Sequence, residues 1–356
     1  MFKKLCIIVA NSSASLIAKS SALLVADYTL TLSLILSTLT TFGQPKTIEF
    51  KPTAYFRNFS HKIPPVLRIS PGDTLVSEAV DAGGFDKNGK SVAESGNPQT
   101  GPFYVEGAMP GDVLEITLTR VSLNRDYALT VEQFVKRSLP FKVAKPIFGR
   151  NAKQVKWTLD REQGYAFPQI THEHLSNLKV PLRPFMGCVA VAAPSKDKEP
   201  LTYFAGQFGG NMDFYKVAQG ATIYLPVFHE GALLYIGDGH ALQGDGEITG
   251  DALETSMDFS LVTTVIKSSE LRLNFPRIED SEHIMAMATA KTLEEALKLA
   301  TLGLLEWVEK DYGLSLNEAS QVLGPLMEYR IPTLAGPKVE IIAMLKKEPL
   351  KGLTKK

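Results

Sequence analysis

The chain is punctuated by proline–glycine turns that release short alternating strands. Pro71-Gly72-Asp73-Thr74-Leu75 and Pro110-Gly111-Asp112-Val113-Leu114 are two copies of one turn-then-strand signal. After the second, Leu114, Ile116 and Leu118 alternate with Glu115, Thr117 and Thr119. Period two is the mark of a half-buried strand. Further β runs cover residues 74–80, 186–193, 221–228, 232–236, 258–267 and 271–275. No helical stretch intervenes, which argues against a parallel βαβ sheet, and antiparallel sheets, as in a sandwich or barrel, are expected. The 27 glycines and 21 prolines fit such a turn-rich fold.

Helical periodicity starts late. Thr292 with Glu295, and Ser315 with Glu318, are capping-box signals. Leu293, Ala296, Leu297, Ala300, Leu304, Leu305 and Val308 mark one face of the first helix. Pro332 is expected to stop the second, and residues 339–345 to form a closing strand. The fold class is therefore mainly β, with a smaller C-terminal α+β part. The expected division is residues 1–44 as an N-terminal targeting segment, 45–276 as the β region, and 277–356 as the α+β part of the same unit.

Lys3 and Lys4 precede an apolar stretch at residues 5–10, and a second apolar run covers 22–42. A charged start and apolar run ending on small residues reads as an export signal, and implies a periplasmic or secreted protein. The alternative is a retained membrane anchor, the only contact with a membrane that the sequence suggests. Cleavage would remove Cys6 and leave Cys188 as the sole cysteine, so no intrachain disulfide could form. The 38 basic and 38 acidic residues cancel, which removes the electrostatic footprint of a nucleic-acid binder.

The chemistry-bearing residues gather late in the β region. Between 231 and 250 stand Gly231, Gly237, Gly239, Gly244, Gly246 and Gly250, with Asp238, His240, Asp245 and Glu247 among them. Asp238 and His240, two apart, share a face if extended, and carboxylate with imidazole suits a divalent metal. The bland alternative is a solvated acidic loop. Gly209-Gly210-Asn211-Met212-Asp213 is a second glycine turn with polar side chains, and Asp81 closes a strand. His172 and His174 have H-x-H spacing, whereas His61, His229 and His283 lack a polar cluster. Cys188 sits in an apolar strand, which suits an inert thiol. No G-x-S-x-G elbow and no phosphate-binding glycine loop is present.

The run from Asn97-Pro98-Gln99-Thr100-Gly101-Pro102 to Met109-Pro110-Gly111-Asp112 resembles the acetamidase/formamidase family. So do Gly209–Asn211 with Met212-Asp213, Tyr224-Leu225-Pro226-Val227-Phe228, and, most specifically, Gly237-Asp238-Gly239-His240-Ala241-Leu242-Gln243-Gly244-Asp245-Gly246-Glu247. Phe208 departs from the family, many of whose members carry histidine there. The resemblance implies a metal-dependent hydrolase of short linear amides that releases a carboxylate and ammonia, and a homo-oligomer. On that reading Asp81, Asp238 and His240 would hold a divalent metal, zinc, with calcium as a second ion. Asp213, Asp245 and Glu247 would be catalytic acids, bases or further ligands, and Asn211 would orient the substrate. A hydrolase of another C–N bond, in a cyclic imide or larger amide, and a non-catalytic binding protein are the alternatives.

Overall fold

The computed structural model describes residues 44–170, 172–194 and 199–353. Residues 45–356 form one compact unit, and the targeting segment expected at 1–44 lies outside the described residues apart from Gln44. Among the described residues, no helix is long and apolar enough to cross a membrane.

Two sheets, almost wholly antiparallel, enclose the core. The first has nine strands in the order Thr47–Glu49, Thr74–Ala79, Met257–Ile266, Val113–Leu123, Thr222–Pro226, Arg277–Glu279, His283–Ala290, Val339–Lys346 and Glu328–Arg330. In Val113–Leu123, the expected alternation is realised: Leu114, Ile116 and Leu118 are fully buried while Glu115 and Thr117 face outward. The second sheet is centred on Phe185–Ala190 paired with Leu234–His240. Every residue of both strands is buried, because material covers both faces. Leu75, Ile116 and Phe259 of the first sheet share one apolar cluster with Met186, Cys188 and Ile236 of the second.

Helices Leu293–Tyr312 and Leu316–Leu326 cover the far end of the first sheet. Both expected caps form: Thr292 accepts from Glu295 N–H, and Ser315 and Glu318 complete a reciprocal box. Ala286, Ala288 and Ala343 on the strands are small enough to let Ala296, Ala300 and Leu304 seat closely. The C-terminal strands thus extend the β region's own sheet.

Three expectations change. The second helix ends at Leu326, ahead of Pro332, because Glu328–Arg330 must extend to pair with Val339–Lys346. Residues 271–275 form no strand; Phe275 turns onto the helices instead, and Pro276 lacks the N–H a ladder needs. The strand expected at 232–236 starts at Leu234, since Ala232 and Leu233 are left-handed with φ of 56° and 59°. It runs on through His240, so Asp238 and His240 are strand residues rather than loop residues.

Candidate active site

His240 ends its strand with one ring nitrogen committed and the other unpartnered. Nδ1 lies 2.9 Å from Gln243 Oε1. Gln243 Nε2 donates to the carbonyls of Asp213 (2.8 Å) and Pro332 (3.0 Å). An amide whose nitrogen faces two carbonyls presents its oxygen to the imidazole, so Nδ1 carries the proton. Nε2 faces Glu254 Oε1 at 3.2 Å and Asp238 Oδ1 at 3.4 Å, and is buried without a hydrogen bond. Asp213 Oδ1 and Glu254 Oε2 are equally buried and unpartnered. Leaving such atoms unsatisfied is costly unless something accepts their lone pairs.

Two groups bring their donor atoms within 4.8 Å of one another: Asp213, His240 and Glu247, and Asp238, His240 and Glu254. His240 has only Nε2 to give, so the groups overlap in one centre. Gly187 makes room for it. A Cβ there would stand 2.6 Å from Asp238 Oδ2, 2.9 Å from His240 Cε1 and 3.0 Å from Asp213 Oδ1.

The centre is rich in negative charge. Burial, reinforced by Glu247 and Asp238, pushes the Asp213 carboxyl well above its ordinary range. Burial also lifts Glu254 to about 8 and Glu247 to about 7, against the opposing pull of His240. Burial opposes a charged His240, yet Glu254 and Asp238 raise it well above the usual imidazole value. Glu340, also buried, is raised by burial and by Glu247. Crowded buried carboxylates that resist ionisation are what a divalent cation would relieve, and its charge inverts this local balance. The nitrogen and oxygen donors present therefore fit such an ion.

The centre opens into a cavity of about 330 Å³ whose walls include Asn211, Asp213, Asp238, Glu247 and Glu254, with Lys338 also contributing. A larger cavity, about 730 Å³, is lined by apolar residues such as Val131, Phe134, Trp157 and Leu253, and shares Glu247 and Asp251 with the first.

Of the residues singled out in the sequence, Asp213, Asp238, His240 and Glu247 converge, and Asn211 stands beside them, donating to Asp213 Oδ2. Asp81 is not brought to the centre. Its Oδ2 pairs with Arg125 at 2.7 Å and its Oδ1 accepts from Phe85 N–H, while Arg125 also reaches the Glu254 carbonyl. Asp81 thus braces the strand that carries Glu254. Asp245 is exposed and 3.6 Å from Arg330. Cys188 is fully buried beneath the site, its thiol pushed up by burial and by Asp238 and Asp213.

Glu254, Gln243 and Gly187 were not singled out by sequence reasoning. Glu254 is separated from His240 by a loop, and only the pairing of Gly239 with Thr255 and of His240 with Glu254 brings them together. Glu340 left a visible signal: one carboxylate inside an apolar strand.

A two-sheet fold holding a buried carboxylate–histidine centre defines the class. A family model described as the Acetamidase/Formamidase family matches residues 202–290, a span that holds Asn211, Asp213, Asp238, His240, Glu247 and Glu254. A Schizosaccharomyces pombe protein provisionally named a formamidase is 26% identical over 268 residues. That alignment covers 60% of this chain and 65% of the yeast protein, just under two thirds of its length. The solved structure of a predicted acetamidase/formamidase from Thermoanaerobacter tengcongensis superposes with a TM-score of 0.73 at 26% identity, covering 86% of this chain and 98% of that one. An acetamidase from Yersinia enterocolitica gives 0.73 at 26% identity, over 88% and 95%. Sequence and fold together make the chain similar to the acetamidase/formamidase family, through the family model over residues 202–290 and through the fold over most of the chain.

Proposed function

We propose that this protein hydrolyses the C–N bond of short linear amides, with one divalent ion, zinc, held by Asp238, His240 and Glu254. The carrying observation is a set of buried, unpartnered lone pairs: His240 Nε2, which faces Glu254, Glu254 Oε2 itself, and Asp213 Oδ1, which lies with Asp238 Oδ2 and the His240 ring around Gly187. Mixed imidazole and carboxylate donors suit zinc, and the reaction needs no redox partner. When bound, such an ion supplies Lewis-acid polarisation and lowers the pKa of water. The chain's own residues do the rest. Asp213 and Glu247 stand in the cavity as proton acceptors for the attacking water and donors to the departing amine. Gln243 holds the His240 tautomer, and Asn211 keeps one N–H for the substrate. A calcium ion would need a second, all-oxygen set, for which Glu247 and Glu340 are the nearby carboxylates.

A larger amide is the second reading, favoured by the 730 Å³ apolar cavity that shares Glu247 and Asp251 with the site. The test is metal content per folded chain, followed by ammonia release from formamide, acetamide and amides of increasing acyl length. The proposal predicts stoichiometric zinc and turnover that chelation abolishes. Failure to bind zinc, or turnover indifferent to chelation, overturns it. We further propose export through residues 1–44. We also propose a homo-oligomer, read by light scattering of the purified protein.

A further inference from the structure

A file of side-chain amides leads to Asp213. Gln99 is fully buried and Asn97 is 7% exposed. Gln99 Nε2 donates to the backbone carbonyl of Asn97 (3.0 Å) and to its Oδ1 (2.7 Å). A carbonyl can only accept, so reversing Gln99 would set oxygen against oxygen. Asn97 Oδ1 is therefore the acceptor, and Asn97 Nδ2 donates to Asn211 Oδ1 and toward the Thr202 carbonyl. That second carbonyl independently sets the orientation of Asn97. Asn211 Nδ2 then donates to Asp213 Oδ2. Two backbone carbonyls thus impose one polarity on the whole file.

We infer that Asn97 and Gln99 are positioning residues that reserve Asp213 Oδ2 as an acceptor and assign Oδ1 as the oxygen that works at the centre. Oδ1 has no hydrogen bond and overlooks Gly187, beside Asp238 Oδ2 and the His240 ring. The backbone is shaped for this arrangement. Asn97 and Asp213 both lie in the left-handed region, with φ of 60° and 43°, which asparagine and aspartate tolerate better than most side chains. Gly237 opposite leaves room for the amide: a Cβ there would come within 2.7 Å of Gln99 Oε1. The role in turnover rests on the proposed amide hydrolysis; the assignment of Oδ1 to the metal centre does not.

Two neutral variants test it without adding charge near the ion. Asn97→Gly keeps the positive φ and removes the link, and Gln99→Met removes the anchoring donor at similar length. Zinc affinity by chelator competition, kcat and KM on the best amide of the panel, and the unfolding temperature without metal are measured for each and for the pair. Each single change is expected to lower zinc affinity or kcat about ten-fold with KM within about three-fold, and the pair to lose no more than the worse single, because both cut one file. Losses that multiply, or affinity and kcat unchanged while only unfolding moves, overturn the inference. Should Asn97→Gly fail to fold, Asn211→Ala with Gln99→Met makes the same comparison. If the wild type turns over no amide, the proposed function fails, and coupling in zinc affinity alone decides the relay.

Discussion

Removing the His240 ring takes away the one nitrogen donor of the centre and leaves Asp238 and Glu254 facing each other. His240→Ala is expected to drop zinc to well below one per chain and turnover by at least about 100-fold, read by elemental analysis beside ammonia release. Full occupancy with lost turnover would move His240 from ligand to proton carrier. Gly187→Ala is a sharper test, because the new methyl meets three polar groups within 3.0 Å. The cost is expected at about 1–3 kcal/mol of stability, with metal affinity falling too. Cys188 lies in the same strand, yet its buried thiol has no work in the proposed reaction. Cys188→Ala is therefore expected to keep kcat within a few-fold, and a loss beyond about 100-fold in a folded variant would reinstate a thiol mechanism.

The helical cover shows what element-level signals can carry. Ser315 and Glu318 satisfy one another's backbone N–H groups, and this local chemistry is legible because capping spans only four positions. Ser315→Ala is expected to cost about 0.5–2 kcal/mol in denaturant unfolding, with kcat unchanged, since the helix touches the sheet away from the centre. The end of that helix was not legible. Pro332 is a strong stop, but the need of Val339–Lys346 for an edge partner acts earlier. Strands behave likewise. Leu114, Ile116 and Leu118 announce their inward face, whereas residues 271–275 carry the same alternation and find no partner. A strand needs a neighbour's ladder, and no local pattern states where that neighbour is.

Charge acts at the scale of the whole molecule. Glu254 and Glu247, raised to about 8 and about 7 from 4.5, and His240, raised well above 6.5, all hold protons more tightly folded than unfolded. Their contribution to stability is present at low pH and is lost as pH rises through those folded values. Metal-free protein is therefore expected to fall in unfolding temperature from about pH 5 to pH 8, and zinc to flatten or reverse that slope, since it binds the deprotonated donors. A metal-free unfolding temperature that climbs with pH over this window would contradict the arrangement of charges.

The residues by themselves determined the β-rich class, both helix caps, and the neighbourhood of Asp238 and His240, because these depend on spacing along one strand or one turn. Only the tertiary structure decided the membership of the centre. Glu254 joins it through strand pairing, Gly187 through the space it leaves, and Gln243 through carbonyls supplied by Asp213 and Pro332. Asp81, equally plausible as a strand-end carboxylate, is claimed by Arg125 instead. A side chain's chemistry is written in its residue type, but its partners are set by which distant backbone folds against it. Within a sheet whose neighbours come from far along the chain, that information is held by the packing of the whole unit.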